Sequence, residues 1–183
     1  MAATEKKQMH WLSSPDGVAP EVVVRKMTAS QGVFMPGAPC YISSTAGTAT
    51  LADTSDGTGD VVHGFIVGVV DQTKAWPLTA ELTANDEVLV ELIDADDLYA
   101  VYVETSGTDA AAPVTIIGDQ YGLTVSTTAT QIGYTTLDTG NANATVQVVD
   151  VMANRNAIKY DTTTAPGVAI VKFLSANVNA SKA

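Results

Sequence analysis

The chain is poor in the residues that most chemistry requires. Of its 183 residues one is cysteine, Cys40, two are histidine, His10 and His63, and two are arginine, Arg25 and Arg155. A lone cysteine excludes an intrachain disulfide and every C-x-x-C arrangement. Placed in an apolar run, Cys40 reads as a small buried hydrophobe. Two histidines leave almost no candidates for a Ser-His-Asp site. The G-x-S-x-G, H-E-x-x-H and G-x-x-x-x-G-K-[ST] patterns are all missing. Positive charge is scarce as well: nine Lys and Arg stand against twenty Asp and Glu, a net charge of −11. That balance argues against a protein that neutralises duplex phosphates and against one that adheres to an anionic membrane surface. No apolar run approaches the ~20 residues of a membrane helix. The opening MAATEKKQMHW carries charge without an apolar centre, so a secretory signal is not expected and synthesis in the cytoplasm is. No segment longer than a turn has the i, i+3, i+4, i+7 spacing of an amphipathic helix.

Apolar residues nevertheless make up 46% of the chain, enough to build a core. Charged residues are 16%, against about 25% in ordinary domains, so Thr, Ser, Asn, Gly and Ala must cover much of the surface. The apolar residues come in short β-rich runs: EVVVRKM at 21–27, VVHGFIVGVVD at 61–71, ANATVQVVDVM at 142–152 and VAIVKFL at 168–174. The run at 31–43 contains Pro36, Gly37 and Pro39, which confine it to an edge, a bulge or a strand–turn–strand. Residues 87–93 alternate with Val88, Val90 and Leu92 on one face and Glu87 and Glu91 on the other, and residues 98–103 are apolar on both faces. The acidic turn at 94–97 between them predicts a hairpin at the centre of the domain. Residues 105–112 read as a small-residue loop. His63, near the start of its run, is expected to be a hydrogen-bonded structural histidine. Strands every 8–15 residues between Gly, Pro and Thr turns predict an all-β fold, a β-sandwich or small β-barrel with an extended N-terminal arm. The arm is residues 1–20, the β-rich domain residues 21–175 with a division near 75–85 beside Trp76-Pro77, and the flexible tail residues 176–183.

Two acidic clusters invite a metal reading. Asp53, Asp56 and Asp60 lie in a Gly- and Thr-rich loop, but the glutamate an EF-hand places at its twelfth position falls here on Gly64. Asp94, Asp96 and Asp97 sit at the expected hairpin tip. Both clusters are read as solvated turns, with no metal or cofactor expected.

PGAPCYIS, HGFIVGVVD, DEVLVELID with LYAVYVE, IGDQYGL with GYTTLDTGNANATVQVVDVM, and PGVAIVKFL follow one another behind the arm. In this phrasing residues 20–175 resemble the head decoration (cement) proteins of tailed bacteriophages. The resemblance implies a structural virion protein without catalytic residues, not an enzyme. Such a protein is made in the host cytoplasm and carried on the capsid exterior. It implies a homotrimer that clamps neighbouring major capsid subunits, with no nucleic-acid or membrane partner. Its arm adds a strand to a capsid element, and the matching residues are Trp11, Leu12, Val22, Val23, Val24 and Arg25. The alternative is a carbohydrate- or receptor-binding module of a fibre or adhesin, presenting Trp76, Tyr99, Tyr121 or Tyr134.

Overall fold

A computed structural model describes residues 9–29, 31–52, 62–71, 73–74, 78, 81–125, 135–141, 143–152 and 166–174. They form twelve strands and one short 3-10 turn, with no α-helix among the described residues. The all-β expectation holds. The residues expected at 157–160, the loop of Asp53, Asp56 and Asp60, and the C-terminal tail lie outside the described residues.

The first sheet uses β2 (Val22–Lys26), β3 (Ala38–Ile42), β4 (Ala49–Leu51), β5 (Gly64–Val69) and β6 (Glu87–Leu92), in the order β2-β6-β5-β3-β4. It curls until its ends touch at one parallel bridge, Met27 with Ala49. There the Thr28 N–H donates to the Ala49 carbonyl at 2.9 Å, and the Thr28 hydroxyl lies 2.7 Å from that of Thr50. Met27, Phe34, Ile66, Leu82, Val88 and Val90 fill the space inside. Gly64 is required where β5 crosses β6, because a Cβ there would strike the Glu91 carbonyl and lie 2.6 Å from Val90 Cγ1.

The second sheet contains β1 (His10–Ser13), β7 (Leu98–Thr105), β8 (Thr108–Asp109), β9 (Gln120–Val125), β10 (Thr135–Asp138), β11 (Val146–Met152) and β12 (Val168–Phe173). Its pairings run β7-β10-β9-β11-β12, and β12 pairs again with β7. The circuit is therefore a closed five-stranded barrel, and closure removes its sheet edges. Alternation sets its inside: Tyr99, Val101 and Val103 of β7 are buried, as are Ala169, Val171 and Phe173 of β12. β1 lies outside the circuit, antiparallel to the start of β7, with Trp11 opposite Tyr99.

Two expectations are corrected. Residues 87–103 are not a hairpin: β6 belongs to the first sheet and β7 to the second, and the turn at 94–97 is a crossover between them. Each strand finds its partners elsewhere, β6 beside β2 and β5, and β7 beside β1, β10 and β12. Residues 105–112 are not a loose loop, since β7 and β8 form a two-residue hairpin in which Ser106 and Gly107 have φ of 50° and 80°, the pattern of a type I′ turn. Val114–Ile116 is a 3-10 turn. β5 and β6, before and after residues 75–85, pair with each other in the first sheet.

Of the two cores, the second is shared by both sheets. Phe65 leaves the first sheet on its outer face and packs among residues of the second barrel. Its ring centroid lies 5.5 Å from that of Tyr99 and 6.1 Å from that of Phe173, while Tyr99 and Phe173 meet edge-on at 5.5 Å.

Candidate interaction surface

The residues expected to form the arm are spread over both sheets. Trp11 stands in β1 and packs against the shared core, half-buried. Leu12 beside it is exposed. Val22, Val23, Val24 and Arg25 form β2, at the edge of the first sheet. Pairing with β6 sets their faces. Val22 lies opposite Glu91, Val24 opposite Leu89 and Lys26 opposite Glu87, all outward, while Val23 turns inward onto the first core. Across β6, Gly68 opposes Leu89. The missing side chain lets Leu89 lie flat, since a Cβ on Gly68 would come 3.2 Å from its Cδ1. The bulge between Ile66 and Gly68 turns Val67 outward as well. Val22, Val24, Leu89, Val67 and Val70 thus form an apolar strip on the outside of the first sheet.

Exposure is concentrated towards the N-terminus. Of nine large hydrophobic side chains exposed among the described residues, Leu12, Val18, Val22 and Val24 fall between residues 10 and 26. Val114, Ile117 and Val149 form a smaller group on the second barrel, joined where the Gly118 N–H donates to the Val148 carbonyl at 2.9 Å. The bridge between Lys74 and Asp86 at 2.6 Å lies beside the turn before β6.

Where β1 meets β7, three buried polar atoms have no hydrogen-bond partner among the described residues: Trp11 Nε1, Asp97 Oδ1 and Tyr99 OH. Asp97 is only 3% exposed, which corrects the reading of this turn as solvated; Asp94 is half-buried and Asp96 alone is open. Burial raises the Asp97 carboxyl above the ordinary aspartate range, and the nearby charges of Asp94 and Asp16 add to this. Ser14 and Trp11 oppose the rise as donors, although the indole N–H faces the carboxylate without reaching good hydrogen-bond geometry. Burial, then Asp97, raises Glu91 too. Burial and the three acids Asp97, Glu91 and Asp94 raise the Tyr99 phenol. Sequence reasoning missed this junction, because Trp11 and Asp97 meet only through the β1–β7 pairing.

The remaining candidates are structural or lie inside. Cys40 is fully buried and free, and burial pushes its thiol up to about 12. His63 accepts the Ile42 N–H at Nδ1 over 2.7 Å, at the start of β5. Burial lowers its pKa, and an accepting Nδ1 is by necessity unprotonated. Tyr99 is inside the core, which removes it as a surface ring, and Tyr121 is half-buried with its hydroxyl on Asp119 at 3.1 Å. Trp76 and Tyr134 lie outside the described residues. Among the described residues no three His, Cys, Asp or Glu side chains come together as metal ligands do, and no helix is long and apolar enough to cross a membrane. No known family matches the chain, and no curated protein is significantly similar to it.

Proposed function

We propose that the chain is a structural virion protein that decorates the outside of a phage capsid, clamping neighbouring major capsid subunits as a homotrimer. The observation that carries this reading is the run of exposed apolar side chains along the N-terminal stretch, Leu12, Val18, Val22 and Val24, on a molecule whose net charge is −11. Such a surface suits many modest contacts repeated over a lattice, where avidity supplies the hold. Its acidity keeps the protein off nucleic acid. Trp11 anchors the stretch to the β-domain, so a shell partner would meet Leu12 and Val18 on an ordered base.

Two measurements test the proposal. Light scattering at low micromolar concentration should give a mass of three times 18.9 kDa. Co-sedimentation with undecorated shells of the matching major capsid protein should show binding by the native chain and strongly weakened binding by Leu12→Asp/Val18→Asp. If the native chain ignored the shells, or the doubly substituted chain bound them unchanged, the reading would be wrong.

A further inference from the structure

The inner edge of β2 is occupied and, among the described residues, its outer edge is open. The Leu92 N–H donates to the Glu21 carbonyl at 2.8 Å, and the Met27 N–H to the Asp86 carbonyl at 2.9 Å. In an antiparallel ladder peptide groups alternate in direction, so residues 21, 23, 25 and 27 point theirs at β6, while Val22, Val24 and Lys26 point theirs away. On that side the Met27–Ala49 bridge is the only strand pairing among the described residues, and it lies beyond the strand's end. A single side chain shields the edge: Arg25 Nη1 donates to the Val24 carbonyl at 2.8 Å. No proline or bulge interrupts Val22, Val23 and Val24, and such an edge is a template for another strand; the charge on the inward row beside Val23 is Arg25.

We propose that a second copy of this chain pairs with β2, antiparallel, about a two-fold axis at Val23. A two-fold perpendicular to a sheet keeps each side chain on its own face, so the axis must pass through a residue, and two registers deserve comparison. With the axis at Val24, Val22 would oppose Lys26 and Val23 would oppose Arg25, apolar against charged in both rows. With the axis at Val23, Val22 opposes Val24 and Glu21 opposes Arg25, so both rows match. The guanidinium then exchanges the Val24 carbonyl for the partner's Glu21, a stronger charge-assisted bond. The vacated carbonyl accepts the partner's Val22 N–H. Val22, Val24 and Leu89 stay outward and join those of the partner, so the apolar strip doubles in length without being covered. One edge falls well below the ~1,200 Å² of a standard stable interface. The contact is weak in dilute solution and counts when copies crowd on a surface. The inference does not rest on the capsid reading, and trimers joined by such two-folds remain compatible with it.

Trapping by disulfides tests the register on the full chain. Val22→Cys and Val24→Cys are prepared separately and oxidised alone and mixed at high concentration. Opposed hydrogen-bonded residues have Cα atoms about 5.5 Å apart, inside the ~4.4–6.8 Å that a disulfide spans. Cys40 stays silent because it is buried. The mixture should give a cross-linked dimer, and each variant alone should not. Glu21→Arg in both partners should cut the yield severalfold, and Glu21→Arg with Arg25→Glu should restore it. Linking by Val24→Cys alone, as readily as by the mixture, would move the axis and overturn the proposal. So would a yield no higher than that of Val149→Cys, on the far barrel. Because no shell is present, this result is independent of shell binding, and Leu12→Asp/Val18→Asp should leave the cross-link unchanged.

Discussion

Replacing Phe65 with alanine should destabilise both halves of the molecule together. Phe65 belongs to β5 of the first sheet, yet only 3% of it is exposed and its neighbours Tyr99 and Phe173 belong to the second barrel. Truncating a buried Phe costs about 3–5 kcal/mol through lost transfer energy and the cavity left behind. Two tilted ring contacts, each worth about 0.5–1.5 kcal/mol beyond burial, put this site in the upper part of that range. Against a total stability of about 5–15 kcal/mol, the loss is about a fifth or more. For a chain of this length one kcal/mol moves Tm by about 2–4 °C, so the midpoint should fall by about 6–20 °C. Calorimetry and circular dichroism should report one transition in both proteins, displaced as a whole. Val149→Ala, at an exposed site, should move the midpoint little. Two separate transitions, with only one shifted by Phe65→Ala, would refute the shared core. A shift below about 2 °C, less than one kcal/mol on the same scale, would do so too.

Gly64→Ala should destabilise by about 1–3 kcal/mol in a urea titration, because the new Cβ meets the Glu91 main chain, which cannot give way as a flexible side chain can. Asp97→Asn should raise Tm at pH 7. The folded carboxyl titrates above its ordinary 3.8, so its contribution is most favourable in acid and is lost as pH rises through the folded value. The gain from the amide should therefore shrink as pH falls through the folded value and vanish below about pH 4, near the unfolded value, and a gain that grew in acid would contradict burial as the cause. Cys40 should resist a thiol reagent in the native protein and react fully in denaturant, since a thiol pushed up to about 12 carries almost no thiolate at neutral pH.

The strands were legible where their residues alternate. Residues 22–26, 87–92 and 168–173 declare themselves by β-branching and period two. Pairing was not. The turn at 94–97 carries every local mark of a hairpin, yet it joins strands of different sheets, because β6 is already covered by β2 and β5 on its two edges. The bulge at Ile66/Gly68 shifts the alternation along β5, so Gly68 joins Leu89 on the outside while Ile66 stays in the core. The valines of β2 announced a strand, but which edge stays open depends on a partner more than sixty residues away. The buried position of Asp97 likewise depends on Trp11, which no local pattern links to it.

The position of β1 has a kinetic consequence. Among the described residues, strands β2 to β6 pair only with one another, so the first sheet can close while the rest of the chain is still being made. β1 precedes them, yet its only partner among the described residues is residues 98–100 of β7. At about 5–20 residues per second of synthesis, the strand waits several seconds after it emerges. Its contact spans nearly half the chain, the kind of long loop closure that slows folding. The first strand made is therefore among the last to be placed, and a nascent chain spends that interval with Trp11 and Leu12 uncovered.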